Sequence, residues 1–367
     1  MLIKIKREEL LKNLQATANI IEKKQTMAIL SNLRAKTEDN WLVLIGTDLE
    51  IQLETRCLAD IQRPGDVTFS ARKFLDICRN IPENSFLSIE LKDDRIHLRA
   101  GRSHFQMGIL NSEDYPAFST DKYYVDFEIQ RSKLLKLFQL TSFCMANQDV
   151  RYYLNGLMID IDRGQLVAVA SDGHRLAMYR EQLDQPVELN KQIIIPRKAI
   201  AEFLRILTGD DEEILIRFRV SDTNIEMTFG NHVFLAKLID GKYPEFKGVL
   251  SQPVSRDVQI NKQEIKSALE RVSILSHEKF RRITLGFEKN LLRLHADNTD
   301  HEQAEDEIDI DYVGEPFEIS LNKEYLSDAI SHIQNTVVDL SFTENTKICR
   351  VANPADPDLD YVIMPLM

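Results

Sequence analysis

The chain is short of glycine and proline, with 13 and 11 in 367 residues, about half the roughly 12% the two usually share. A collagenous, low-complexity or largely disordered polypeptide is thereby excluded. Four cysteines, Cys57, Cys78, Cys144 and Cys349, lie far apart and form no CxxC pair. That is neither a metal-ligand spacing nor the disulfide density of a small secreted scaffold, so buried free thiols in a reducing compartment are expected. No apolar run approaches the length of about 18 residues needed to span a bilayer. Residues 1–8 lack the continuous apolar core of a signal peptide. The protein is expected to be soluble and cytoplasmic, with no membrane partner. GxxxxGKS/T, GxGxxG, HExxH and GxSxG motifs are all missing, so no catalytic, cofactor or metal site is expected. His295, Asp297 and His301 suggest a metal site as one reading, but the run 297–311 reads more plainly as acidic surface.

What is present is an ordinary globular composition, 43% apolar and 28% charged, with a formal charge of −12. A threefold internal repeat organises it. The segment Ile5-Lys6-Arg7-Glu8-Glu9-Leu10-Leu11 has counterparts at Ile129-Gln130-Arg131-Ser132-Lys133-Leu134-Leu135 and Ile260-Asn261-Lys262-Gln263-Glu264-Ile265-Lys266. Ala71-Arg72-Lys73 recurs as Pro196-Arg197-Lys198 and Asn322-Lys323-Glu324, with lysines at 73, 198 and 323, an offset of 125 both times. Between these fall Thr47-Asp48-Leu49, Ser171-Asp172-Gly173 and Asp297-Asn298-Thr299. Tyr115-Pro116, Tyr243-Pro244 and Met364-Pro365 close the three copies. Three domains follow, 1–124, 125–250 and 251–367.

Each copy carries two helix signals, apolar residues at i, i+1 and i+4 such as Leu10, Leu11, Leu14 and Phe74, Leu75, Cys78. The six segments are 7–20, 71–81, 131–143, 197–207, 262–275 and 323–334. Each follows a short β-like stretch, at 2–5, 67–69, 125–129, 192–195, 258–260 and 317–321, and elsewhere the pattern alternates with period two. Each domain therefore reads as two β-α-β-β-β halves, an α+β fold of mostly antiparallel sheet. Two helices per domain are too few to cover both faces of a parallel sheet.

The charge is unevenly placed. The six helical segments hold 15 basic and 8 acidic residues, so they are a positive subset of a negative chain. Solvated helix faces are one reading. The other is a diffuse lining that faces a polyanion without sequence preference, with Arg72, Arg79, Lys133, Lys136, Arg197 and Lys198 as candidate phosphate contacts. Asp172-Gly173-His174-Arg175 is the most enzyme-like tetrapeptide, and a hydrolase using His174 with Asp172 is the alternative function it suggests. Its position in the repeat reads instead as a turn between strands.

Asp149-Val150-Arg151-Tyr152-Tyr153-Leu154-Asn155-Gly156 and Ser171-Asp172-Gly173-His174-Arg175-Leu176 closely resemble the bacterial DNA polymerase III β subunit family, the replicative sliding clamps. The resemblance extends through Ile194-Ile195-Pro196-Arg197-Lys198, Glu278-Lys279-Phe280-Arg281 and Tyr361-Val362-Ile363-Met364-Pro365, and spans the whole chain. It implies the DNA clamp fold, a head-to-tail homodimeric ring with helices inside and antiparallel sheets outside. Such a ring encircles duplex DNA without sequence preference. It is placed by a clamp loader and tethers the polymerase III catalytic subunit, other polymerases and repair proteins, with no catalysis of its own.

Helix dimensions give an independent check. Helices pack 8–10 Å apart, and at about 10 Å a ring of six leaves a hole of about 9 Å once one helix width of roughly 10 Å is removed. Twelve leave about 28 Å, enough for a duplex of roughly 20 Å. A monomer could not encircle DNA; a dimer could.

The resemblance also assigns residues. Leu154, Ser171, Gly173, His174, Arg175, Leu176, Pro244 and Val249 match a pocket for a short linear partner peptide carrying glutamine and apolar residues, completed by Val362, Met364, Pro365 and Leu366. Asn322 and Tyr325 match its flank. A few polar groups in an apolar lining suit such recognition, and methionine adapts to several partners; a frayed C-terminus is the other reading of Met364-Pro365. Lys24, Gln148, Tyr152 and Tyr153 match residues that touch DNA, with Tyr152 and Tyr153 expected on a loop. Phe105, Ile274 and Leu275 match an apolar dimer interface, with Lys73, Arg95 and Arg102 opposite Glu302, Glu305 and Asp306. Ordinary core packing is the other reading of Phe105 and Ile274. Three departures bear on the pocket: Ser171 for a usual Thr, Gly248 for a common Arg, and an ending Leu366-Met367 without Arg-Leu.

Overall fold

The computed structural model describes residues 1–366 except 23–26, 119–121, 163, 186, 188–191, 208–213, 278–280 and 344–347. The first repeat comprises β1 (Leu2–Lys6), α1 (Arg7–Ile20), β2 (Asn32–Glu38), β3 (Trp41–Thr47), β4 (Ile51–Leu58) and β5 (Asp60–Arg63). It continues with β6 (Asp66–Ser70), α2 (Ala71–Asn80), β7 (Phe86–Lys92), β8 (Arg95–Ala100) and β9 (Ser103–Leu110). The second has β10 (Val125–Gln130), α3 (Arg131–Thr141), β11 (Gly156–Asp162), β12 (Gln165–Ser171) and β13 (Arg175–Gln182). Then follow β14 (Ile193–Pro196), α4 (Arg197–Ile206), β15 (Leu215–Val220), β16 (Asn224–Phe229), β17 (His232–Lys237) and the short α5 (Lys247–Leu250). The third has β18 (Val254–Asn261), α6 (Lys262–Val272), β19 (Arg282–Glu288), β20 (Leu291–Asp297) and β21 (Gln303–Asp309). It ends with β22 (Phe317–Asn322), α7 (Lys323–His332), β23 (Val337–Thr343), β24 (Cys349–Asn353) and β25 (Asp356–Ile363).

Every half is thus β-α-β-β-β, as the apolar pattern predicts; β5 and α5 are additions it does not show. The helix faces follow the same pattern. Ala71, Phe74, Leu75 and Cys78 of α2 are buried, while Arg72, Lys73 and Arg79 are exposed. Asparagine starts the two helices of the third repeat: Asn261 accepts from the Gln263 and Glu264 N–H groups, and Asn322 from those of Glu324 and Tyr325. Each satisfies backbone donors that the first helical turn leaves orphaned. Helix α1 lies so close to β3 that a Cβ at Gly46 would stand 2.6 Å from the Thr17 carbonyl oxygen. Only glycine permits that approach.

All strand pairings are antiparallel, and the halves exchange their first strands. β1 pairs with β7 of the second half, and β6 pairs with β2 of the first. The same holds for β10 with β15, β14 with β11, β18 with β23 and β22 with β19. Two further pairings cross from one repeat to the next, β17 with β4 and β13 with β25. The sheets that result have thirteen, eight and four strands.

These pairings explain why the chain divides into two compact units rather than three. One unit is Met1–Leu134 with Lys198–Leu238, and the other is Leu135–Arg197 with Ile239–Met367. The first contains the whole thirteen-stranded sheet, in which β10 and β15–β17 extend the first repeat through β4. The second contains the other two sheets, in which β11–β14 join the third repeat through β25. The four cysteines are buried and unpaired with one another. Burial pushes the thiols of Cys57, Cys78 and Cys349 up to about 12.

Candidate functional site

The Asp172-Gly173-His174 turn that joins β12 to β13 is built by its own side chains. Asp172 Oδ1 accepts the N–H groups of His174 at 2.9 Å and Arg175 at 3.0 Å, an Asx turn. Ser171 Oγ donates to the Arg175 carbonyl at 2.7 Å and accepts the Gly173 N–H at 3.1 Å. Gly173 has φ +89°, and a Cβ there would lie 2.7 Å from the Arg151 guanidinium. Both facts call for glycine. The first repeat builds its turn alike: Asp48 accepts from Glu50 and Ile51 N–H, and Thr47 donates to the Ile51 carbonyl. The second oxygen of Asp172 accepts from Arg175 Nε at 3.1 Å. The carboxylate is thus occupied by the turn and by arginine. Among the described residues it makes no hydrogen bond to the His174 ring, which removes the acid–base pair that the hydrolase reading requires.

Arg175 ties this turn to the third repeat. Its guanidinium donates to Asp328 Oδ2 of α7 at 2.6 Å and to the Phe143 carbonyl at 2.9 Å. It also lies 4.5 Å from the centre of the Tyr325 ring, a cation–π distance. The His174 ring stacks on the same Tyr325 at 6.4 Å. Beside the turn, Arg151 makes a two-pronged contact with Asp149, at 2.9 and 3.0 Å, and donates to the Asp172 carbonyl at 3.1 Å. The Arg151 side chain, and then its N–H, hold the Asp149 carboxyl down at about 2.

Beneath these polar groups lies a solvent-open pocket of about 660 Å³. Its floor is Leu154, Leu176, Phe246 and Val362, all buried, with Val249 and Met364 packed against them. Leu176 and Val362 face each other across the β13–β25 ladder. That ladder continues past its last strand residue, because the Met364 N–H donates to the His174 carbonyl and the Leu366 N–H to that of Ser320, both at 2.8 Å. The backbone is therefore anchored as far as Leu366. Ser171, Gly173, His174, Arg175, Leu176 and Pro244 meet in this pocket with Leu154, Val249, Val362 and Met364, while Pro365 and Leu366 are not among its lining residues. Arg151, Tyr243, Glu245 and Phe246 line it too. The sequence already marks their places, in the Asp149–Gly156 motif and at Tyr243-Pro244, but nothing in it points their side chains into a pocket. Tyr325 of α7 touches the lining residues His174 and Arg175, while Asn322 caps that helix and is not among the lining residues.

Three family models match the chain in order. They are the N-terminal, central and C-terminal domains of the DNA polymerase III beta subunit, over residues 1–119, 128–245 and 247–367. The beta sliding clamp of Pseudomonas aeruginosa is 38% identical over 363 residues, covering 99% of this chain and 98% of that protein. The chain belongs to the DNA polymerase III beta subunit family. The beta sliding clamp of Haemophilus influenzae is 36% identical across the full length of both. A crystal structure of the Pseudomonas aeruginosa DNA polymerase sliding clamp with ligand matches with a TM-score of 0.96 at 37% identity, covering 100% of both chains. The fold is accordingly that of three DNA clamp domains, and the beta sliding clamp is a non-catalytic processivity factor.

In this clamp the basic residues of the helices have unequal freedom. Arg72 and Arg79 are exposed on α2 beside a groove that α1 helps to form. Lys133 is half-buried. Lys136 pairs with Asp356 at 3.0 Å and lies over the Tyr179 ring at 4.8 Å. Arg197 donates to the Met145 carbonyl at 2.6 Å. Lys198 pairs with Asp48 and Glu22; burial opposes its charge, but the two carboxylates outweigh it and leave the pKa raised. Gln148 is exposed, at φ +57°. Tyr152 is 56% exposed, and Tyr152–Leu154 is a single 3-10 turn in a loop, as expected. Tyr153 lines the pocket. Lys24 lies outside the described residues.

Among the described residues β5, β10, β14, β18, β21 and β22 each end a sheet, and two open edges, that of β21 and part of β9, lie at residues matched to the dimer interface. β21 pairs on one side only, with β20. β9 pairs with β8 over 103–108 and with β6 only at Ile109 and Leu110, which leaves one side of 103–108 unpaired. Phe105 is half-buried on that strand, packed on the first repeat's core. Ile274 is 77% exposed in the 3-10 turn after α6, and Leu275 is half-buried. Lys73, Arg95, Arg102, Glu302 and Glu305 are exposed. Asp306 is held within the chain by Arg271 at 2.6 Å. No helix among the described residues is long and apolar enough to cross a membrane, and no metal-ligating cluster occurs among them.

Proposed function

We propose that this sliding clamp acts as a head-to-tail homodimeric ring around duplex DNA, and that its domains are 1–124, 125–250 and 251–367. The open edge of β9 in one copy takes the open edge of β21 in another. Phe105, Ile274 and Leu275 are covered there, and Lys73, Arg95 and Arg102 meet Glu302 and Glu305. Unpaired edges are templates for such pairing. The helices line the opening, with Arg72 and Arg79 on DNA phosphates and Gln148 and Tyr152 beside the strand. The pocket under the Ser171–Arg175 turn takes a short apolar peptide from the polymerase III catalytic subunit, the clamp loader, or other polymerases and repair proteins. The compartment is the cytoplasm.

The observation that carries this reading is the likeness to sliding clamps over the entire chain, the pocket included. The experiment is retention on DNA. Loaded by a clamp loader onto a nicked circle, the protein should stay bound through gel filtration and be lost once the circle is cut open. Equal retention on linear and circular DNA would overturn the ring.

A further inference from the structure

The pocket is not the sole hollow beside α5. A second, of about 830 Å³ and open to solvent, lies against β11–β13, and Phe246 lines both. Its apolar floor is Val167, Met178 and Phe246, buried members of the same cluster as Leu154, Leu176 and Val362 of the first pocket. One continuous apolar bed therefore runs under both hollows, and α5 crosses it as a ridge.

At 3.6 residues per turn, each residue advances about 100° around that ridge. Lys247, Leu250 and Ser251 share one flank and line the second hollow, while Val249 falls on the other flank and lines the first. Phe246 points down and is buried. Gly248 is left on the crest. A Cβ built there meets no atom within 4 Å, and its φ lies outside the left-handed region. Neither backbone nor packing requires glycine, whose effect is to leave the ridge bare. Over a bare crest, a chain needs to travel about 10 Å, or about three extended residues.

The far rim carries charges of both signs, and Asp160 keeps its charge because its side-chain partner is a neutral amide. Arg180 pairs with Asp360 at 3.4 Å, and Asp160 accepts from Gln192 at 3.2 Å. Lys247 is exposed, and among the described residues its ammonium makes no ion pair or hydrogen bond.

We propose that the two hollows form one extended groove, in which a flank of the partner peptide crosses α5 at Gly248 and seats an apolar residue in the second hollow with an adjacent carboxylate on Lys247. The inference rests on the first pocket being a peptide site. It adds a selectivity for longer peptides whose flank is apolar and acidic.

The test is fluorescence anisotropy on the full-length protein with three labelled peptides. One is a short core of glutamine and apolar residues. The others are that core extended by five residues, ending Leu-Asp, at one terminus or the other. One extended peptide should bind at least tenfold tighter than the core. Lys247→Glu should remove that gain while leaving core affinity within twofold, and Gly248→Arg should remove the gain as well. An extension ending Leu-Lys should bind Lys247→Glu better than the native protein. Extended peptides no tighter than the core, or a gain that survives both substitutions, would overturn the groove. Failure of the core itself to bind would overturn the pocket reading, and the groove with it.

Discussion

Arg175 and Asp328 meet at 2.6 Å, a contact between residues 153 positions apart that fastens the turn after β12 to helix α7. The arginine side chain is only 13% exposed, so its bonds to Asp328, Asp172 and the Phe143 carbonyl form largely out of water. Arg175→Ala leaves two carboxylates and a carbonyl without their donor and should cost about 2–4 kcal/mol. Asp328→Asn keeps a neutral acceptor and should cost about 1 kcal/mol. Urea denaturation of both variants checks the ratio, and equal losses would mean that Asp328 alone carries the contact.

Asp149 gives a pH signature. Its folded pKa of about 2 lies below the value of about 3.9 for an unfolded aspartate. The Arg151 contact is therefore complete above pH 4 or so and is lost as pH falls through the folded value. A carbon-detected NMR titration should place the Asp149 carboxyl midpoint near 2; a midpoint near 3.9 would show that the pair does not form in solution.

Arg72 and Arg79 are the helix cations that DNA should feel most, because they are exposed while Lys136, Arg197 and Lys198 already hold intramolecular partners. The double variant Arg72→Glu/Arg79→Glu should fold normally and shorten retention on circular DNA. It should also lower the slope of log affinity against log salt by about 1 per lost phosphate contact. Lys198→Glu should instead lower the melting temperature, since it places a third carboxylate beside Asp48 and Glu22.

Ile274, 77% exposed, is placed for an interface rather than a core. Ile274→Asp should leave the melting profile of the subunit intact and shift light scattering from the mass of two chains to that of one. A dimer that persists at micromolar concentration would remove Ile274 from the interface.

The thiols offer a separate check on packing. With pKa values pushed up to about 12, the thiolate fraction of Cys57, Cys78 and Cys349 at pH 8 is about 10⁻⁴. Iodoacetamide should label no cysteine in the native protein and all four in urea, counted by mass spectrometry.

The repeat was legible because it is written locally. Apolar spacing at Leu10, Leu11 and Leu14 or at Phe74, Leu75 and Cys78 reports a helix face within one or two turns, and all six helices begin where that spacing and the preceding β-like residues place them. The short β5 and α5 carry too little periodicity to stand out, whereas the equally short β14 shows as the apolar run Ile193–Ile195. The exchange of first strands left no trace either, since β1 would show the same alternation whether it paired with β2 or β7. Side-chain partners were the hardest to foresee. Lys198 reads as a solvent-facing cation, yet it finds Asp48, 150 residues away. Asp306 reads as an outward charge, yet Arg271 on the neighbouring helix holds it. Most of the pocket could be named through the family resemblance that 149–156, 171–176 and 361–365 carry; Arg151 and Phe246 were not named, because their roles depend on the direction in which a loop and a short helix turn them.

The way β17 joins β4, and β13 joins β25, sets a limit on dissection. The middle repeat is a unit of sequence, but cut out alone it would bare two long hydrogen-bonding borders at once, along His232–Lys237 and Arg175–Gln182. Such a fragment invites sticking to its own kind. A fragment meant to stay in solution should keep whole sheets together and ignore the tidy thirds of the gene.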